Sequence, residues 1–396
     1  MNVLYLASWF PYPPDNGSRQ RTFYLLRELA RKHRVTLFAL YDSDQNPADA
    51  EFLKPMCTRV LTRPRRVFRP TRLRAIPAFF SARPRSIVDT YDAELATRLA
   101  REIQNETFDV ILAGQLSMAV YAAELNHHAK VFDEVEVGLY VDKYVQSFGL
   151  TRWRNALTWQ KLARYLKQLT ARFDELTVVS AMERDHLNTL GIEAKRLSIV
   201  PNGVECAYET TEPVAPKPFT LVYNGALTYS ANLDAMRYFV RDILPQIRAV
   251  EPRARLEITG RAPQVAQNEL SDDNAVSFTG YVADVRPVVR AAAVCVVPLR
   301  QGGGTRLKIL EAMALGTPVV STAKGIEGLN VRDGEHLLVA NTPDEFARAT
   351  LLLLQDDELR MRLSANARVR VCAEYDWRVI GEMMERVLRR AVEDSK

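Results

Sequence analysis

Alternation constrains this chain more than any other feature. Short β-branched, apolar runs recur between helical stretches, which is the pattern of α/β folds built on parallel sheets. In the first half the strand-like runs are NVLYLAS, RVTLFALY, DVILA, KVFD, LTVVS and LSIVP, separated by stretches such as SRQRTFYLLRELARKH. The segment VPNGVECAYETTEPVAPKP, rich in Pro, Glu and Thr, then breaks the rhythm and reads as a linker. Afterwards the pattern restarts with FTLVYNG, RLEITG, AVSFTG, AVCVVPL, PVVST and HLLVA. A chain of 396 residues suits two domains. The expected division is an N-terminal Rossmann-like domain over 1–200, a C-terminal one over 201–375, and a final helix over 376–396 that packs back on the first domain.

Composition excludes several classes. With 47% hydrophobic and 26% charged residues the chain is neither disordered nor fibrous. Cys57, Cys206, Cys295 and Cys372 form no CxxC pair and no metal-ligand spacing, so reduced thiols in a cytoplasmic protein are expected. The start MNVLYLASWFPYPPDNG lacks a basic region before its apolar run, unlike a signal peptide. No apolar run approaches the roughly 20 residues of a membrane span.

The stretch GGGTRLKILEAMALGTPVVS at 302–321 breaks a local rule. It runs glycines into a helix and then places Arg306 and Lys308 in the first turn, where the helix dipole disfavours cations. An anion held there would resolve the conflict, because a strand, a glycine loop and a helix aim free N–H groups at one point. The motif completes neither GxxxxGK[ST] nor GxGxxG. Apolar nearly all round, the helix should sit inside its domain, and this strands Glu311 among Leu307, Leu310 and Ala314. A buried carboxylate needs a partner, and an i,i+3 pair with Lys308 is the simplest one.

Other candidates lie in the first half. In PPDNGSRQR, Asn16-Gly17 turns the chain, Ser18 is the expected N-cap, and Arg19 and Arg21 repeat the cations-first pattern; a plain turn with exposed arginines is the alternative. VFDEVEVG places Asp133, Glu134 and Glu136 at the carboxyl edge of a parallel sheet, where ligand sites of this class lie, although a solvated acidic loop would look the same. DSD at 42–44 looks like a metal-binding DxD, but Asp- and Ser-rich loops are ordinary and no metal is expected. Residues 1–200 carry a net +7 and residues 201–396 a net −2; the excess comes from 63–85, with eight arginines and no acid. That segment includes Arg66, Arg69, Arg72, Phe79 and Phe80, a mixture suited to an anionic lipid surface. Nucleic acid, which lacks a recognised module here, and a plain solvated segment are the competing readings.

The chain resembles the retaining glycosyltransferases of family four, which have the GT-B architecture of two facing Rossmann-like domains with a cleft between them. GGGTRLKILEAMALGTPVVST carries most of the likeness; PNGV at 201–204, VVSAMERDHL at 178–187 and PPDNGSRQR agree with it. The resemblance implies transfer of a sugar from a UDP- or GDP-sugar to a hydroxyl acceptor, without a metal or other cofactor. By it, Glu311 binds the donor's ribose, and Gly303, Gly304, Thr305, Arg306 and Lys308 hold the sugar and diphosphate. Gly17 faces the donor phosphate or the acceptor; Gly225 lies in the loop after the first strand of the C-terminal domain; Gly260, Arg261 and Val282 belong to loops around the base. Two departures stand out: Gly303 occupies the place of a second glutamate, and the loop NGALTYSANLD lacks the family's Arg and Lys, whose work Arg306 and Lys308 are expected to take over. A histidine usual in the VFDEVEVG loop is replaced, Val135 being its expected successor, and Glu134, with Glu136 as the alternative, is the catalytic candidate there. The implied setting is envelope polysaccharide or lipid-linked oligosaccharide synthesis, in the cytoplasm or on the inner membrane face, with Arg19 and the arginine-rich segment toward the acceptor. A sugar-nucleotide epimerase and an inactive scaffold are the alternatives.

Overall fold

A computed structural model describes all residues except 70, 73–77, 79–80, 128, 139, 142–146, 148, 193–196, 208–213, 215–216, 272–274, 303 and 396. It divides into two compact units: Met1–Pro201 with Ile380–Lys396, and Asn202–Val379.

The first unit holds a seven-stranded sheet in the order β3-β2-β1-β4-β5-β6-β7. Its strands are β1 Asn2–Ala7, β2 Arg34–Tyr41, β3 Arg59–Pro64, β4 Val110–Gly114, β5 Lys130–Asp133, β6 Glu175–Val178 and β7 Leu197–Ile199. Every pairing is parallel. A parallel sheet covered on both faces needs continuous apolar strands rather than alternating ones, and Val3, Leu4, Tyr5 and Leu6 are all buried. The strand β3 was not among the sequence expectations. It lies at the sheet edge, where RVLTRP keeps most of its residues half-buried or exposed and so shows no apolar run to read.

The C-terminal helix Trp377–Glu393 contributes its later residues to this unit. Arg390 pairs with buried Glu175 at 3.1 Å, and Lys32 with Glu385 at 2.7 Å.

In the second unit six strands are ordered β10-β9-β8-β11-β12-β13. They are β8 Lys217–Asn224, β9 Arg255–Thr259, β10 Val276–Gly280, β11 Ala292–Val297, β12 Val319–Ser321 and β13 Leu338–Val339, again all parallel. The helix Leu307–Ala314 buries Ile309, Leu310, Ala312, Met313 and Ala314 in the core, as its composition requires.

Each sheet has one place where neighbouring strands send their connections in opposite directions. In the first it is β1 beside β4; in the second it is β8 beside β11. The diverging connections leave a crevice at the carboxyl ends of those strands, which is where open α/β sheets bind ligands. Both crevices collect the residues singled out above.

Candidate functional site

In the second unit the crevice is floored by the end of β8 and the start of the helix after β11. Asn224, the last residue of β8, donates from Nδ2 to Glu311 Oε2 at 2.7 Å and to the Lys308 carbonyl at 3.2 Å. Burial pushes the Glu311 carboxyl up to about 7, and the Asn224 hydrogen bond only partly opposes it.

Lys308 does not pair with Glu311, so the simple i,i+3 explanation fails. Its Nζ instead donates to Tyr223 Oη at 2.8 Å and Asn232 Oδ1 at 2.7 Å, and lies 4.5 Å from the Tyr223 ring centroid. These bonds use two of the three donors of an ammonium. Burial, and next the charge of Arg306, lower Lys308 to about 7. Among the described residues, half-buried Lys308 thus has no carboxylate partner and half-buried Glu311 makes no salt bridge, an arrangement that costs stability and is typical of sites awaiting a charged ligand.

The glycines set how closely these elements approach. Gly260 has φ +110°, and a Cβ there would lie 2.9 Å from the Ala226 backbone nitrogen. At Gly225 a Cβ would lie 3.0 Å from Lys308 Nζ. The lysine therefore reaches the underside of the very loop that lacks basic residues of its own. Gly302 and Gly304 take φ of +104° and +79°, turning the loop into the helix.

Arg306 stands one residue earlier than expected, at the N-cap rather than in the first turn. Its Nη2 donates to the Gly302 carbonyl at 2.7 Å, bracing the glycine loop. Asn202 Nδ2 donates to Thr305 Oγ1 at 3.2 Å, which ties PNGV to the same loop. Gly303 lies outside the described residues. On the β9 and β10 side, Gly260 N–H donates to the Gly280 carbonyl, and the Arg261 guanidinium stacks 5.3 Å from the centroid of half-exposed Tyr281, next to Val282. Asn224, Asn232 and Tyr223 were not singled out beforehand; an uncharged loop gave no electrostatic reason to choose them.

The first unit's crevice is organised by hydrogen bonds. Trp9 Nε1 donates to Gln115 Oε1 at 2.8 Å, and Gln115 Nε2 donates to Glu134 Oε2 at 2.8 Å. Gln115 and Glu134 have φ of +61° and +59°, left-handed values that cost about 1–3 kcal/mol each for non-glycine residues and cluster at functional sites. Burial pushes Glu134 up to about 7, against the pull of Arg21. Glu136 also rises to about 7 through burial, reinforced by Glu183. Val135 is buried in the core, so the left-handed turn at Glu134 presents the glutamate and hides its neighbour.

Several expectations for this unit need correction. Asn16, not Ser18, caps the helix Gly17–Ala30 by accepting from Arg19 N–H. Arg19 and Arg21 are buried, which removes the alternative of a plain turn with exposed arginines. Arg19 pairs with Asp15 at 2.8 Å and Asp44 at 3.3 Å; Arg21 pairs with Asp133 at 2.5 Å and donates to the Pro201 carbonyl at 3.0 Å. Asp42 is held by Arg65 at 2.7 Å, so both aspartates of DSD are neutralised by arginines. Among the described residues no group of His, Cys, Asp or Glu could hold a metal ion.

The arginine-rich segment is also more neutral than its sequence suggests. Arg63 and Arg66 pair with Asp92, Arg65 with Asp42, Arg72 with Asp89 and Arg83 with Glu124. Arg69 is exposed, and Phe79 and Phe80 lie outside the described residues. No described helix is long and apolar enough to cross a membrane.

Comparison with known proteins adds the following. Residues 15–208 match the model of Glycosyltransferase Family 4, and residues 218–356 that of Glycosyl transferases group 1. The chain is 23% identical to an uncharacterized 44.6 kDa protein in the cps region of Klebsiella pneumoniae, over 94% of this chain and 96% of that one. It is 28% identical to a phosphatidyl-myo-inositol mannosyltransferase of Mycolicibacterium smegmatis, over 54% of this chain and 56% of that one. Among solved structures, Anabaena HepE in complex with UDP and glucose superposes with a TM-score of 0.67 at 16% identity, covering 98% and 99% of the two chains. Sucrose-phosphate synthase from Thermosynechococcus elongatus gives 0.70 at 18% identity and 100% of both. At such identities these structures establish the fold.

Proposed function

We propose, from the premise that the chain belongs to the group 1, family 4 glycosyltransferases, a retaining family of GT-B fold, that its second unit binds the nucleoside diphosphate of the sugar donor on the glycine-loop helix. The observation that carries this reading is the separation of Lys308 from Glu311. An ion pair would have been the low-cost arrangement, and instead Lys308 donates to Tyr223 and Asn232 while Glu311 accepts from Asn224, which holds the two apart. In this reading the diphosphate takes the third donor of Lys308, the field of Arg306 and the free N–H groups of the loop containing Gly304 and Thr305. Glu311 receives the ribose hydroxyls, while Gly260, Arg261, Tyr281 and Val282 border the base.

During transfer the bond from the anomeric carbon to the phosphate oxygen breaks and a bond to the acceptor oxygen forms on the same face. The acceptor proton passes to the departing phosphate oxygen, so no strong protein base is required. Lys308 and Arg306 stabilise the charge that develops on the diphosphate. We assign the acceptor to the first unit, where Glu134, held by Gln115, orients the attacking hydroxyl. UDP- or GDP-sugar is the donor class and a carbohydrate or lipid-linked hydroxyl the acceptor class. Envelope polysaccharide synthesis is the setting best supported by the likeness to the cps-region protein and to the phosphatidyl-myo-inositol mannosyltransferases.

Glu311→Gln tests the donor site. Loss of a hydrogen bond to a charged group is worth about 1.5–3 kcal/mol, so nucleotide affinity in titration calorimetry should fall by roughly 10- to 100-fold. Unchanged affinity would make Glu311 a structural residue and remove the ribose assignment.

A further inference from the structure

The helix Gly149–Thr170 is long and basic throughout. Its 22 residues contain Arg152, Arg154, Lys161, Arg164 and Lys167, and no acid. Leu162, Leu166 and Leu169 bury one face in the core of the first unit. At about 100° per residue, Trp153, Leu157 and Arg164 fall within about 40° of one another on the opposite side.

That outward side carries the anomaly. Trp153 is 73% exposed and Leu157 65%, one turn apart on the same face. A lone exposed leucine needs no explanation, but a tryptophan and a leucine stacked on solvent and ringed by cations do. Arg154, Arg164 and Lys167 make no ion pair among the described residues, in contrast to the five paired arginines of the stretch 63–85. Lys161 Nζ donates to the Ala78 carbonyl at 2.8 Å, tying the helix to that stretch.

We propose that the exposed face of the helix Gly149–Thr170, with Trp153 and Leu157 at its centre, seats this protein on an anionic lipid surface. An amphipathic helix with aromatic and aliphatic residues on its apolar strip and only cations around it is the form that inserts at the headgroup boundary. Charge selects the occupant: a second copy would bring the same cations against themselves, whereas an anionic bilayer neutralises all of them and takes up the apolar pair. The inference moves the membrane-facing element from the arginine-rich stretch, five of whose arginines are paired within the fold, to a helix on which Arg154, Arg164 and Lys167 make no ion pair among the described residues. It does not depend on the donor assignment, since neither Lys308 nor Glu311 takes part.

The test is sedimentation of the full chain with phosphatidylcholine vesicles and with vesicles that also contain phosphatidylglycerol. Binding should require the anionic lipid and weaken with added salt. Each arginine near such a surface contributes on the order of fivefold, so Arg152→Gln with Arg154→Gln should reduce binding roughly 30-fold. Trp153→Ser with Leu157→Ser should reduce it by on the order of tenfold or more. Both pairs are surface changes, and unchanged circular dichroism melting would show that the fold is intact. Equal binding to both vesicle types, no binding to either, or full binding by both variants would overturn the proposal. So would dimerisation of the wild type that Trp153→Ser abolishes, since a second copy would then cover this face.

Discussion

Replacing Lys308 with methionine should make the unliganded protein more stable while removing its grip on the donor. The lysine is lowered from 10.5 to about 7, a fall of about 3.5, which at 1.36 kcal/mol per pKa step is about 5 kcal/mol against the charged form. At pH 7 half of the folded molecules escape by releasing the proton, leaving about 4 kcal/mol. Because the residue as a whole keeps some exposure, about 2–4 kcal/mol is the expected gain. Methionine fills the space of the aliphatic stem, and Tyr223 Oη still bonds Asn232 Oδ1 at 2.7 Å, so no polar group is orphaned. The sign fixes the pH dependence. A lysine lowered in the folded state means that the unfolded chain holds more protons between pH 7 and 10.5, so wild-type stability rises with pH in that window. The advantage of the variant should therefore narrow to about 2 kcal/mol or less by pH 9. Amide hydrogen exchange over the strand Ala292–Val297 in increasing urea, at both pH values, reads the stability of this unit directly. A variant less stable than wild type, or an advantage unchanged between pH 7 and 9, would refute the argument that Lys308 is held as a strained buried cation.

Two further outcomes follow from the same groups. Affinity for a nucleotide sugar, whose diphosphate has no ionisation near neutrality, should fall as pH rises above about 7, because Lys308 then loses its charge; calorimetry in buffers of different ionisation enthalpy should show proton uptake on binding. With Glu134 pushed up to about 7, turnover should rise through that pH as the carboxylate forms. Glu134→Gln should flatten that rise and lower turnover above it by on the order of tenfold, as loss of a hydrogen bond to a charged group does; an unaltered profile would leave Glu134 without a catalytic role.

Much of the architecture could be read from the strands, because a parallel sheet buried on both faces writes continuous apolar runs into the chain. NVLYLA and AVCVV are such runs, and RVLTRP at the sheet edge is not, which is why β3 escaped notice. The glycine loop drew attention for a different reason: cations at a helix start contradict local preference, and such a contradiction is where a ligand is sought. The arrangement of its partners was not readable. Nothing in spacing says that Lys308 turns away from Glu311 toward Tyr223 and Asn232, because the choice depends on which strand lies beside β11. Arg21 was unreadable in the same way, since its buried carboxylate partner Asp133 lies 112 residues on in sequence, whereas Arg19 takes Asp15 of its own loop as well as exposed Asp44. The arginine-rich stretch drew attention by its composition, yet composition does not record that Asp42, Asp89, Asp92 and Glu124 fold against it.

Donor binding is the central claim, and one panel tests it most directly: titration of the wild type and of Lys308→Met with UDP-, GDP- and ADP-sugars, followed by thermal stability. A ligand that binds the folded state must stabilise it, by about 2.7 kcal/mol at a hundredfold excess over its dissociation constant. The account predicts a clear rise with sugars of one base in the wild type and none in the variant. No rise with any of the three in folded wild-type protein, or an equal rise in Lys308→Met, would contradict it.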